Sequence, residues 1–319
     1  MTGSLNWVVG AGGLLGSSVC TEAPRTETLW APQFNVNWSS PSTVVAELSL
    51  GMDHFVEATK GGPWRLWWCA GKGTVSSGTG MLDEEFTALL ALLASLRQAS
   101  PQWLAQGQMV FASSAGSIYA GSSDVIVGNE TVPAPLTDYG RMKLCAERAI
   151  QEVGSQTGMR TLVTRITNLY GPKQDMSKSQ GLISTTCASV IRHEAVPIFV
   201  SLGTVRNYVH ARDAARSMWR CAIDEPTQGN VIRIISSPAN LSVGNVLKVV
   251  EEVGGERVLT RVASRPDSAA LSKSVFFDPR RVGVELEDYT PIHVGVDEVY
   301  GSLLRSWQLG LMAVARGAV

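Results

Sequence analysis

Short apolar runs, each closed by glycine, serine or another turn residue, alternate along this chain with longer stretches whose apolar positions recur every three or four residues. The first kind reads as buried strand and the second as amphipathic helix. Leu5 to Val9 predicts a first strand, and Ser17 to Ala23 a helical run behind it. Residues 27–31 predict a second strand and Phe34 to Trp38 a very short third. Ser39 to Thr43 supplies capping residues, after which Val44 to Ala58 has helical periodicity. A strand over Arg65–Cys69, a helix over 82–97, a strand over Gln108–Ala112, a helix over Tyr139–Val153 and a strand over Arg160–Ile166 continue the alternation. Such a pattern predicts an α/β fold, a Rossmann-like doubly wound parallel sheet. From residue 30 to Ala70 the interval is short for two complete strand–helix units, so the helix between the second and third strands is expected to be missing.

Ligands of such sheets bind at the carboxyl ends of the strands. Gly10–Gly16, Gly71–Gly73, Ser113–Ser117 and Thr167–Gly171 all follow predicted strands, so they should converge on one cleft. The first of these is a glycine-rich turn between strand and helix, the context of a dinucleotide-phosphate site. Gly10, Gly13 and Gly16 would let the backbone approach a pyrophosphate, while the helix start offers free N–H groups. Leu14 and Leu15 lie within that turn, and Ala70 with Gly71 closes the strand beside it; these residues complete the expected cofactor set.

Tyr139 and Lys143 lie four apart on a predicted helix and therefore share one face. A phenol is a poor base near neutrality, with a pKa of about 10. A cation held close by is expected to pull that value down. Ser114, upstream at a strand end, can donate to a substrate oxygen; Ser113 and Ser117 are rivals for the same task. With a nicotinamide nearby, Ser114, Tyr139 and Lys143 make a hydride-transfer site in which the phenol exchanges the hydroxyl proton.

The chain has 319 residues, enough for one large α/β domain or two unequal ones, and 45% of them are hydrophobic. Its formal net charge of -1 gives no footing for nucleic acid or an anionic membrane surface. No apolar run approaches the roughly 18 residues of a membrane span, and no leader pattern opens the chain. The five cysteines show no metal spacing and read as buried free thiols in a reducing, cytoplasmic setting. The four histidines are isolated, so no metal site is expected.

Further motifs carry a resemblance. They are Gly10-x-x-Gly13-x-x-Gly16, Ser114, Tyr139-x-x-x-Lys143, the segment Arg165 to Pro172 with Asn168, Gln180 to Ile183, Val205 to Ala215, and Arg265-Pro266. In order and spacing the chain resembles the extended short-chain dehydrogenases/reductases, the branch of NAD-dependent nucleotide-sugar epimerases and dehydratases that includes UDP-glucose 4-epimerase. The resemblance covers nearly the whole chain. It implies a dinucleotide-binding domain over 1–171 and a smaller α/β substrate-binding region over 172–319, with the chain crossing back near 203–225. Asn168 and Arg206 would hold a substrate diphosphate and Arg265 would add a second cation, as a guanidinium fork suits phosphate. Leu182 and Phe199 would line the substrate pocket. Asp213 is expected to cap a helix, whereas Tyr208 and Phe199 stand open between pocket and core. A homodimer through the helices over 82–97 and 139–153 is also implied.

In places the chain departs from that family. Leu29-Trp30-Ala31-Pro32 has no acid where one normally holds the adenosine ribose, and Glu85 stands where Asn is usual. The cofactor is therefore NAD or NADP. Ala115-Gly116-Ser117-Ile118-Tyr119 lacks the acidic pair of a dehydratase. Two reactions remain, epimerisation of a nucleotide-diphosphate sugar through a transient ketone and reduction of a nucleotide 4-keto-sugar. A non-catalytic scaffold or sensor that retains the fold is the alternative of another class.

Overall fold

A computed structural model describes residues 3–178, 180–224, 229–264, 273–282 and 288–310. In chain order its strands are β1 (Leu5–Val9), β2 (Thr28–Trp30), β3 (Trp64–Trp68), β4 (Gly107–Ser114), β5 (Ile126–Val127), β6 (Arg160–Ile166), β7 (Asn168–Tyr170), β8 (Val196–Ile198), β9 (Val205–His210), β10 (Asn230–Ile235), β11 (Asn240–Ser242), β12 (Thr260–Val262) and β13 (Phe276–Phe277). The helices used below are α1 (Leu14–Thr21), α2 (Pro41–Thr59), α3 (Thr79–Gln98), α4 (Pro101–Leu104), α5 (Ala115–Ile118), α6 (Asp138–Thr157), α7 (Leu182–Ile191), α8 (Ala211–Asp224) and α9 (Val243–Gly254).

Six strands form one parallel sheet in the order β10-β6-β4-β3-β1-β2. Successive side chains on a strand point to opposite faces. Trp7, Val9, Trp64, Leu66, Trp68, Met109, Phe111 and Val163 accordingly join the layer built with α2, α3 and α6. Val8, Trp67, Val110, Leu162 and Ile166 face α1 and α8 instead. Because both faces are covered, strands such as Trp64–Trp68 are apolar almost throughout. The doubly wound parallel sheet expected from the sequence is thus the fold observed. A smaller core gathers α7, α9 and the C-terminal helix Ile292–Gln308 around β8 and β9.

Residues 30–70 correct the sequence reading at one element. The helix expected over Val44–Ala58 is α2, which starts slightly earlier, with Pro41 in its first turn and Val44, Leu48, Met52 and Phe55 buried, and it fills the interval between β2 and β3. Phe34–Trp38 forms no strand, and β2 is the sheet edge, paired with β1 alone. The missing element is therefore a strand beyond β2, not a helix. The apolar residues of the short segment serve as cover: Val36 and Trp38 pack on the core, and Trp38 meets Trp68 edge-on at 6.2 Å. The first helix also starts earlier than expected, directly from the glycine turn.

At the opposite end of the sheet, Trp64 stacks on Trp103 at 4.0 Å with both rings buried. Gly107 makes room for this, since a Cβ there would lie 1.9 Å from Trp64 Cζ2. Overpacking of a filled core typically costs about 1–3 kcal/mol. Gly107→Ala should therefore lower the urea midpoint by that equivalent with an unchanged slope; an unaltered midpoint would contradict this packing.

Candidate active site

The turn after β1 is a cradle only glycine can form. Gly10 has φ 88, and a Cβ on it would lie 2.6 Å from the Ala70 nitrogen. At Gly16 a Cβ would stand 2.2 Å from the Gly10 carbonyl oxygen. Gly10 O accepts instead from Gly13 N–H at 3.0 Å, and Gly13 stands at the N-terminal end of α1 with no side chain capping it. This arrangement suits an anionic diphosphate, which takes uncapped N–H donors at a helix start. The neighbouring turns close in on it. Ala70 packs under Gly10, and a Cβ on Gly171 would meet Leu14 Cδ1 at 3.1 Å. Lys178 Nζ donates to Gly71 O at 3.2 Å.

Tyr139 sits in the first turn of α6, which is set by Thr137 accepting from Gly140 N–H at 3.2 Å. That turn faces the end of β4, where the Ser114 hydroxyl comes close enough to the Tyr139 phenol to favour its ionised form. Ser114 Oγ also donates to Ser117 Oγ at 3.2 Å. One turn along α6, Lys143 Nζ lies 5.6 Å from the Tyr139 ring centre and 5.2 Å from that of Phe111. The three residues singled out for the reaction are therefore together, and Gly73 joins them: a Cβ there would reach Tyr139 Cδ2 at 3.5 Å. Ser113 points elsewhere, donating to Glu147 Oε1 at 2.6 Å.

The electrostatics differ from expectation. Burial, the dominant influence, raises the Tyr139 phenol above its ordinary value; Lys143 and Ser114 pull it down, while the Glu85 carboxylate pushes it up. The depression expected from the Tyr–Lys spacing is thus overridden. Lys143 is itself paired, donating to Glu85 Oε1 at 2.9 Å with both side chains under a tenth exposed. Burial works against the Lys143 charge, yet Glu85 and Tyr139 raise its proton affinity on balance. Burial likewise opposes ionisation of Glu85, but Lys143, the Gly73 N–H and Lys178 hold its carboxyl below the usual range.

A second buried pair lies behind the first. Arg165 grips Glu147 with Nη2 at 2.6 Å and Nε at 3.0 Å, and donates to Tyr119 Oη at 2.5 Å. Glu147 sits one turn beyond Lys143, so Ser113, Glu147 and Arg165 tie α6 to the ends of β4 and β6. Sequence reading missed this tie, although the four-residue step from Tyr139 to Lys143 to Glu147 and the lead position of Arg165 in its motif were its signals.

The residues expected on the substrate side lie further along the chain. Asn168 follows β6 directly; its Nδ2 donates to Asn207 O at 2.9 Å, while a Cβ on Gly116 would come 3.9 Å from its Oδ1. Arg206, on β9, donates through Nη1 to the carbonyls of Val205 at 2.8 Å and Lys273 at 2.6 Å. Leu182 opens α7 partly buried against the smaller core, and Phe199 follows β8, also partly buried. Tyr208 is a buried core aromatic. Arg265 lies outside the described residues. Asp213 does not cap a helix: it is buried and accepts from Thr290 N–H at 2.8 Å and the Thr290 hydroxyl at 3.0 Å, because a buried carboxylate requires donors. Among the cysteines, Cys187 and Cys221 are buried, but Cys145 is exposed on α6, since the polar face of that helix turns outward there. Among the described residues there is no group able to hold a metal, and no helix is long and apolar enough to cross a membrane.

A family model described as "NAD dependent epimerase/dehydratase family" matches residues 69–235, just over half of the chain. A UDP-glucose 4-epimerase of Azospirillum brasilense is 25% identical over 218 residues, 64% of this chain and 61% of that protein. The dTDP-4-dehydro-6-deoxyglucose reductase of Escherichia coli is 22% identical over 144 residues, 45% of each chain. The chain thus spans less than two thirds of these curated relatives. The crystal structure of UDP-glucose 4-epimerase from Thermotoga maritima with UDP-glucose superposes with a TM-score of 0.74 at 19% identity, over 95% of this chain and 99% of the other.

Removing one partner of a buried ion pair typically costs about 3–5 kcal/mol. Glu147→Gln, which leaves the Arg165 charge uncompensated, should destabilise the fold on that order in urea unfolding. A loss below about 1 kcal/mol would show that the pair is solvated like a surface bridge.

Proposed function

The chain belongs to the NAD dependent epimerase/dehydratase family, and on that premise we propose that it is an NAD(P)-dependent nucleotide-sugar epimerase, which oxidises a sugar carbinol to a transient ketone and returns the hydride to the opposite face. The observation that carries this reading is the meeting of the Ser114 hydroxyl and Tyr139 phenol, with Lys143 one turn away, beside the glycine cradle. Bound there, a nicotinamide dinucleotide would supply the acceptor and donor of hydride. Gly10, Gly13 and Gly16 with Leu14 and Leu15 would hold its diphosphate, and Ala70 with Gly71 would flank it.

The remaining steps fall to side chains of this protein. Ser114 would donate to the reacting sugar oxygen and fix its position. Tyr139 would take the hydroxyl proton as the carbinol is oxidised and give it back as the ketone is reduced. Asn168 and Arg206, with Arg265, would hold the nucleotide diphosphate so that the ketone can turn while the nucleotide stays anchored. The similarity to an enzyme named for UDP-glucose supports this substrate class. The exposed Met81 and Leu90 on α3, a helix packed against α6, support a homodimer through those two helices. The free cysteines suit a cytoplasmic setting.

A second reading, reduction of a nucleotide 4-keto-sugar, is favoured by one observation, the Glu85 carboxylate on Lys143. The similarity to a 4-dehydro-sugar reductase supports the same reading. The two separate in one experiment: UDP-, dTDP- and GDP-sugars incubated with NAD or NADP, in both redox states, and followed by NMR. Inversion at a carbinol marks the epimerase and net loss of a ketone the reductase; no conversion of any member would contradict both.

With the substrate so found, Tyr139→Phe should lower turnover by about 10²-fold or more while binding persists; near-normal turnover would remove Tyr139 from the mechanism. Arg206→Ala should act mainly on KM, and an unchanged KM for the nucleotide sugar would show that Arg206 serves only its main-chain contacts.

A further inference from the structure

Glu85 takes no part in the steps above, yet it is in direct contact with Lys143. Its Oε1 accepts from Lys143 Nζ at 2.9 Å and its Oε2 from Gly73 N–H at 2.9 Å. The turn after β3 is shaped around that carboxylate: a Cβ on Gly71 would lie 2.7 Å from Oε1, and one on Gly73 3.0 Å from Oε2. Lys143 and Glu85 are 6% and 9% exposed, so water screens neither charge well.

An ammonium acts on a neighbouring phenol through its field, and an anion in contact with the ammonium cancels much of that field. The surroundings offer Tyr139 little in exchange. From β4 come the neutral Ser114 hydroxyl and the Phe111 ring; just after β3 comes Cys69, kept a neutral thiol by burial. Glu147, further along α6, is gripped by Arg165. From the segment after β7, Lys178 reaches Gly71 O and acts on Glu85.

We infer that Glu85 is a positioning residue that neutralises Lys143, so that the ammonium cannot offset the burial of Tyr139, which rests as a neutral phenol and enters the reaction as a proton donor. The inference rests on Tyr139 being the acid/base group. Its consequence is that ketone reduction, the step shared by the second half of the epimerisation and by the reductase reading, starts from the resting protonation state of Tyr139. With hydride supplied to the carbonyl carbon by a reduced nicotinamide, the Tyr139 phenol O–H bond would break and its proton would form the new O–H bond on the sugar oxygen. The phenolate left behind recovers its proton from solvent. Starting from a carbinol, the phenol must first lose its proton, which makes oxidation faster as pH rises.

The test is a pH titration of phenolate ultraviolet absorbance on the purified full chain, with Tyr139→Phe subtracted to isolate this one of the six tyrosines. In the wild type, no Tyr139 phenolate should form below about pH 10. In Glu85→Gln, with the corresponding double variant subtracted, it should appear at least about one pH unit lower than in the wild type. A Tyr139 phenolate near pH 7–8 in the wild type would overturn the inference, as would a folded Glu85→Gln protein with the wild-type curve. Should Glu85→Gln fail to fold, Glu85→Ala is titrated in its place, with the same expected shift and the same contrary result. No substrate or cofactor enters the measurement, so an inactive enzyme would sink the proposed function without touching this result, and a failed titration would leave that function standing.

Discussion

Lys143 carries its charge where little water reaches it, and the rest of the site is arranged to answer that charge. A buried cation must be matched by an anion and by acceptors, because desolvation outweighs anything it gains alone. Glu85 provides the match from α3, and the Gly73 N–H steadies the second oxygen from the turn after β3. The need for space at Gly71 and Gly73 follows from that one carboxylate. Behind it, Glu147 and Arg165 repeat the pattern and lock α6 to the ends of β4 and β6. Tyr139 and Ser114 meet because these charged ties fix the helix that carries one relative to the strand that carries the other.

The glycine cradle meets a different constraint, that of close backbone approach. Gly10 rests against Ala70 and Gly16 against Gly10, so the turns after β1 and β3 are in contact at the carboxyl end of the sheet. The turns after β4 and β6 join them through Ser114 and Asn168. Four turns of one parallel sheet thus present uncapped N–H donors, a phenol, an ammonium and a hydroxyl to a common region. That combination supports dinucleotide-dependent chemistry at a carbinol or ketone, and family membership agrees with it.

Much of this was legible in the sequence, for identifiable reasons. Strands buried on both faces leave continuous apolar runs such as Trp64–Trp68, and the glycine turn follows its strand directly. Tyr139, Lys143 and Ser114 announce themselves by spacing and by position at helix start and strand end. Phe34–Trp38 misled because a coil that lays alternate side chains on a core has the same pattern as a strand. The Glu85–Lys143 bond was hidden, since the two residues are 58 positions apart and no local rule joins them. The state of the phenol was hidden for a related reason: spacing reveals the nearby cation, but burial and the neutralising anion are properties of the folded chain.

In the proposed reaction a carbon-bound hydrogen of the sugar moves as hydride while Tyr139 handles only the oxygen-bound proton. Deuterium placed on the reacting sugar carbon, followed by mass spectrometry through turnover in ordinary water, tests that claim most directly. Hydride transfer predicts that the label stays on that carbon in an inverted product or is recovered on the nicotinamide. Release of the label into water would contradict it, because it would mean that the carbon had lost a proton rather than a hydride.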